Sequence, residues 1–423
     1  MSVIHQLKNG FEKHFDFWSF CLGGVLFSTV VSQTLLDFFT ILLAIGLLTD
    51  FIKQPQKTKQ MFKMFGNELA MLAYLIVVLI GYYVNASRDA EIGRGLSKFL
   101  WVFNFYIYYY AFLKTRLKFE ANRMALYFGV LFLIPNVYAI YTYIVGYDFL
   151  SFKFIPRSVG LVNSATYHAH GVALIFIPFI ISLFFNWSKL KPFMKALAVA
   201  ALPIFVGSVM VTLTRGAWLI MAISVPVFLA FINYKYLIGL VIAGVVAGAL
   251  TFVAWPGLRD RVDMTRTENH TSERQNLMAV NFQIWGEYPW LGIGYGENQR
   301  RNREYWDREE WQMPSDYIVS HAHNQFLNVL STTGLAGLFC YLLFYVNFLA
   351  VNVRELVKAK KDSYRYSLLL LCLVWQVGFT VSCLTDVTFE YAKLRVLVLL
   401  PWALLLAIKN SGRIESLQMD NVR

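Results

Sequence analysis

Apolar residues in this chain come in continuous blocks separated by short polar and mostly basic stretches. A helix of about 17–25 apolar residues crosses a hydrocarbon core of about 30 Å, and blocks near that length recur along most of the sequence. The pattern predicts spans near residues 17–33, 36–52, 68–85, 98–113, 124–146, 169–187, 196–213, 217–233, 237–255, 324–352, 367–385 and 394–409. Strands of a membrane barrel would instead alternate apolar and polar positions over about ten residues, so helices are expected throughout. Residues Ser32 to Asp37 mark a tight turn between the first two spans, and Pro135 followed by Asn136 predicts a kink in the fifth.

Between spans nine and ten the pattern stops for one long polar segment, Pro256 to His323. Connections between packed elements are usually a few residues, so a loop of this size is expected to carry function. The chain thus divides into 1–255 (nine spans), 256–323 (the large loop), 324–409 (three spans) and 410–423 (a polar tail). Composition agrees with an all-α polytopic membrane protein: 57% of residues are hydrophobic and 15% charged, against about 25% charged in soluble domains.

The net charge of +12 is explained by topology. With the N-terminus inside, the inner segments hold 22 basic and 9 acidic residues while the outer side is nearly balanced, as expected when cytoplasmic loops concentrate Lys and Arg. Both termini then face the cytoplasm, and a nucleic-acid surface is not needed to account for the charge. The basic N-terminus with no small-residue cleavage site predicts an uncleaved first span. Cys21, Cys340, Cys372 and Cys383 all lie in apolar blocks without ligand spacing and read as core thiols.

Candidate chemistry gathers at the outer ends of the spans. The large loop contains eight arginines and no lysine, and the planar guanidinium fork suits phosphate and carboxylate. The run from Arg300 to Glu310 is rich in acids as well, which predicts that most of these arginines pair within the loop. Trp285, Trp290, Trp306 and Trp311 offer surface for stacking on sugars or for an interfacial belt. Arg215, in VTLTRGAWL between two apolar blocks, needs a partner or an anion to offset its burial. In His270 to Gly296 a helix is expected to begin near Ser272, placing Arg274 in a first turn that also favours an anion, and to end at the Pro289–Gly296 turn. That glycine run lacks the flanking strand and helix of a dinucleotide loop. The stretch Arg157 to His170 brings Arg157, Asn163, Tyr167, His168 and His170 to the mouth of span six as a binding lip. Finally SHAHNQFLNVLSTTGLAGL, Ser320 to Leu338, sets His321, His323, Asn324 and Gln325 before a span containing Gly334 and Gly337. A histidine there can act as a general base, and the glycines permit a break or a close helix contact. The histidine pair also raises zinc, but neither Glu nor Cys lies at ligand spacing, so no metal is expected.

His323-Asn324, nine residues and then Gly334-Leu-Ala-Gly337 is similar to the signature of the O-antigen ligase and polymerase superfamily of bacterial inner-membrane glycan-assembly proteins. Thr214-Arg-Gly216, Ser-Glu-Arg274, the PWLGIGYG turn and Arg157-Ser-Val-Gly support the resemblance, which covers nearly the whole chain. It implies a GT-C-like glycosyltransferase that moves a glycan from undecaprenyl diphosphate to a terminal sugar of lipid A core, with a periplasmic site, without ATP or metal and with inversion. It further implies that Arg215 and Arg274 hold the diphosphate and that His323 activates the acceptor hydroxyl. Arg157, Tyr167, His168, His321, Asn324 and Gln325 are then expected to contact substrate. A polymerase acting on lipid-linked repeats is the alternative. A protein-glycosylating relative is disfavoured by the short tail after Lys409, and a transporter by the scarcity of charge within the spans.

Overall fold

The computed structural model describes residues 17–62, 67–85, 101–115, 131–254, 256, 269–308, 321–361 and 363–420, and it is almost entirely helical. In chain order these are α1 (Phe17–Ser28), α2 (Gln33–Lys53), α3 (Pro55–Met61), α4 (Asn67–Asn85), α5 (Trp101–Lys114) and α6 (Leu133–Val145). A two-stranded hairpin follows, with β1 (Tyr147–Asp148) antiparallel to β2 (Lys153–Phe154) and Tyr147 opposite Phe154. Next come α7 (Ala165–Asn186), α8 (Pro192–Val211), α9 (Arg215–Ile232) and α10 (Tyr234–Ala254). The large loop contributes α11 (Asn269–Glu287) and α12 (Asn298–Arg308), and the chain ends with α13 (Gln325–Lys358), α14 (Tyr364–Thr385) and α15 (Ala392–Asp420).

A helix lies on every apolar block that the sequence marks out. Among the described residues seven are long and apolar enough to cross a membrane: α2, the Glu68–Asn85 part of α4, α7, α8, α9, α13 and α14. This is an all-α polytopic membrane protein. Its outward surface is apolar, with Ile52, Ile144 and Val357 more than two-thirds exposed, as expected where the surrounding medium is lipid. Because lipid is as apolar as leucine, the helices are held by close packing and polar contacts instead of by exclusion from water.

Helices α7 and α14 form the centre. Their apolar windows are 83% and 78% buried, and α9, α13 and α15 pack around them. Aromatic rings fill the seam between α13 and α15, where Trp402 stacks on Phe348 at 4.5 Å with planes 6° apart. The four cysteines are free thiols, three of them buried, as their apolar setting predicts.

Candidate active site

The site is built on a break in α13. At Gly334 the backbone has φ 66° and ψ −170°, so the helix divides into a short segment, Gln325–Thr333, and a long one from Leu335. In an unbroken helix the amides of Leu335 and Ala336 would bond to the carbonyls of Ser331 and Thr332. Here those amides donate to Pro289 O (2.8 Å) and Trp290 O (3.2 Å), while Ser331 O and Thr332 O accept from Ile293 N and Gly294 N (both 3.1 Å). The turn at 289–294 therefore satisfies all four backbone groups that the break releases, which membrane depth requires. The fit admits only glycine: a Cβ on Gly334 would lie 2.2 Å from the Trp290 carbonyl carbon, and one on Gly292 (φ 63°) 2.2 Å from that of Thr332. The large loop is thereby locked to the membrane core. Asn281 accepts from Ser331 Oγ at 2.7 Å, Asn298 donates to Asn328 at 2.8 Å, and Leu277, Val280, Ile284, Ile293, Tyr305 and Trp306 form a small core of their own.

The break fixes where the short segment begins. Asn324 caps it, its Oδ1 accepting from the amides of Phe326 (3.0 Å) and Leu327 (3.1 Å) while its Nδ2 donates to Leu384 O (3.3 Å). Gln325 is fully buried and accepts from Phe389 N at 3.0 Å. The two amides thus tie α13 to the last turn of α14 and to the turn that follows it. His323, immediately before the cap, takes φ 49°, a left-handed conformation uncommon outside glycine, and this turns its ring toward α14.

What it meets there is Asp386, the residue that ends α14. Asp386 Oδ1 lies 3.6 Å from His323 Nδ1 and 3.9 Å from His321 Nδ1, and the two imidazole centroids are 4.3 Å apart. At these separations the contact is electrostatic. The His321 ring is fixed on both sides: Nε2 meets the Tyr391 hydroxyl at 2.7 Å, and Nδ1 accepts from the His323 amide at 3.3 Å. That network assigns the proton of His321 to Nε2. Burial lowers the His321 pKa to about 4, with the charge of Arg274 acting in the same direction, so His321 is neutral at physiological pH. Burial opposes the ionised form of Asp386, but the surrounding His323, His321 and His170 outweigh it and hold the carboxyl well below the usual range. A carboxylate beside an imidazole Nδ1 favours the tautomer whose Nε2 is free to accept a proton.

The N-terminal ends of α7 and α9 and the C-terminal end of α8 converge on the same place. Ser158 N donates to Val211 O at 3.1 Å, which joins the segment holding Arg157 to the end of α8. Arg215 opens α9, and Gly216 packs so closely that a Cβ would lie 2.6 Å from Thr385 Oγ1 and 2.9 Å from His170 Nε2. His170 in turn bonds Ser382 at 2.8 Å, and Ser382 bonds Thr388 at 2.6 Å. Tyr167 lies against Tyr391, ring centroids 4.3 Å apart. Arg274 is exposed and sits at the sixth position of α11, beyond the first turn expected from Ser272, yet its charge reaches His321.

Several residues expected to line a binding surface have partners within the fold. His168 is fully buried, bonded to Ser208 at 2.8 Å and covered by the turn at Gly160, so it props that turn. Gln325 is buried and Asn324 is engaged as a cap, as above. The arginines Arg300, Arg301, Arg303 and Arg308 pair with Glu297, Glu304, Asp307 and Glu287, as the acid-rich run predicts. Trp306 belongs to the small core, Trp290 is exposed beside Gly334, and Trp311 lies outside the described residues. Asp386 and Tyr391 were not singled out by the sequence. The available signal was an acid placed directly after a span, VSCLTD, which has the same cost logic as Arg215.

No curated protein matches the chain. A protein-family model described as O-antigen ligase matches residues 200–342, the stretch that contains Arg215, Arg274, His323 and the break at Gly334. Over that stretch the chain is similar to the O-antigen ligase family.

Proposed function

We propose that this protein is a lipopolysaccharide O-antigen ligase, a glycosyltransferase that moves a glycan from undecaprenyl diphosphate to a terminal sugar of lipid A core. The reading places twelve spans in the bacterial inner membrane in a GT-C-like arrangement, with both termini cytoplasmic and the site facing the periplasm. Its main support is the convergence of an oriented imidazole, His323 with Asp386, and of Arg215 and Arg274 at one end of the bundle.

In this mechanism Arg215 and Arg274 hold the donor diphosphate. Two permanently charged forks balance the negative charge that develops as the glycosyl bond breaks. His323 Nε2 takes the proton of the acceptor hydroxyl, whose oxygen attacks the anomeric carbon from the side opposite the diphosphate. The carbon–oxygen bond to the diphosphate breaks, undecaprenyl diphosphate leaves, and the configuration inverts. Asp386 positions His323 without touching substrate. Arg157, Tyr167 and the exposed edge of His321 contact sugar. ATP has no role in this scheme, and the arginines supply the charge that a metal provides elsewhere in phosphate chemistry.

The test is transfer by purified protein from lipid-linked glycan to lipid A core, with Arg274→Lys alongside. Lysine keeps the charge but loses the bidentate fork. A loss of about 10²–10³-fold, the usual effect of removing one such donor, is expected; undiminished transfer would refute the assignment of Arg274. Extension of the lipid-linked glycan in place of transfer to core would identify a polymerase.

A further inference from the structure

The pair His321 and His323 lacks a third ligand in the sequence around it, but the fold supplies one. One ligand atom each from His321, His323 and Asp386 lies within 4.8 Å of the others, drawn from two loops that α13 and α14 hold in place. Two imidazoles and a carboxylate are a common protein set for zinc; with bonds of about 2.0–2.2 Å in a tetrahedral arrangement the ligand atoms lie about 3.3 Å apart, so these need close by no more than about 1.5 Å. The His323 Nδ1 is buried without a hydrogen-bond partner. The His321 tautomer already leaves its Nδ1 unprotonated, and Tyr391 holds the opposite nitrogen in the manner of an outer-shell partner.

We infer that His321, His323 and Asp386 form an inhibitory Zn²⁺ site on the outer face, with coordination disabling His323 as a base. Resting on the ligase reading, the inhibition follows from the tautomer. Metal on His323 Nδ1 places the proton on Nε2, so the nitrogen that faces the acceptor has no lone pair to offer. Bound zinc also occupies Asp386, which otherwise orients the ring.

The experiment titrates full-length protein, purified with chelator and then freed of it, with Zn²⁺ alone, and reads binding by calorimetry and transfer in parallel. One zinc per chain is expected, with half-inhibition near the dissociation constant and full recovery on adding EDTA. His321→Gln and Asp386→Asn should each weaken binding, and Tyr391→Phe should weaken it about 10–100-fold as outer-shell changes do. Two variants at different positions guard against a folding defect in either. No saturable binding, or equal affinity in wild type and both ligand variants, overturns the site. Stoichiometric binding that leaves transfer unchanged overturns the inhibition. Failure of the ligase reading would show separately, as absence of transfer in the chelated, metal-free protein.

Discussion

At the scale of single residues the site depends on a histidine held in an uncommon backbone conformation between a helix cap and a buried acid. His323 has φ 49° because Asn324 must cap the short segment of α13 and the preceding loop must still deliver a ring to Asp386. Replacing Asp386 with Asn keeps its shape but removes the charge that orients the imidazole. Since a positioned general base contributes about 10²–10⁴-fold, Asp386→Asn should lose a large share of that in turnover while substrate affinity changes little. A loss confined to KM would point to a structural role. His321 adds a dependence of stability on pH. Its folded pKa of about 4 lies below the ordinary 6.5, so the unfolded chain binds the proton more readily and stability is lost as pH falls from 6.5 toward 4. The contribution is on the order of 3 kcal/mol at most. Thermal unfolding at pH 7 and pH 4.5 should show a drop that shrinks in His321→Gln; an equal drop in both would show that other groups carry the acid sensitivity. Arg215, Arg274 and His323 could be proposed from the sequence because each stands in a short local motif. Asp386 could not, because its partnership with His323 arises across the whole length of α13 and α14.

At the scale of elements the joint between α13 and the 289–294 turn sets the geometry of everything beyond it. The helices themselves were legible from apolar block length, but some boundaries were not: α15 runs to Asp420, well past the expected end at 409, and α13 continues to Lys358. GLAG and PWLGIGYG were each visible as glycine-bearing segments, but their engagement was not, since it is an exchange of backbone partners and leaves no side-chain signature. Gly334→Ala demands a left-handed φ of alanine and drives its Cβ into the Trp290 backbone. Strained φ alone costs about 1–3 kcal/mol, and the clash adds to it, so loss of folded protein is expected in a detergent thermal-shift or size-exclusion assay. Gly286 is the control: it lies in α11 with open space around its Cα, and Gly286→Ala should be neutral or stabilising by up to about 1 kcal/mol. Equal behaviour of the two variants would remove the break from its central place.

For the whole molecule, the charges sort by end. The imidazole–carboxylate cluster, Arg157, Arg215 and the 147–154 hairpin share one end, while Lys114 with Asp50, and Lys358 and Arg365 with Glu355, lie toward the other. In the proposed orientation a cysteine at Lys153, in a background without native cysteines, is labelled by an impermeant maleimide in intact cells, and one at Lys358 only after permeabilisation. The reverse pattern would turn the protein over in the membrane. The side-to-side balance of Lys and Arg is the basis on which this orientation is proposed, whereas the packing order of the helices around α7 and α14 has no such signal, because apolar blocks of similar composition do not encode which neighbour they meet. The most direct measurement is transfer in a reconstituted system containing purified protein, undecaprenyl-diphosphate-linked glycan, lipid A core and a chelator, with wild type and His323→Ala compared. The account predicts glycan on lipid A core with wild type and a loss of at least about 10²-fold with His323→Ala; undiminished transfer by the variant, or a product found only on the polyprenyl lipid, would contradict it.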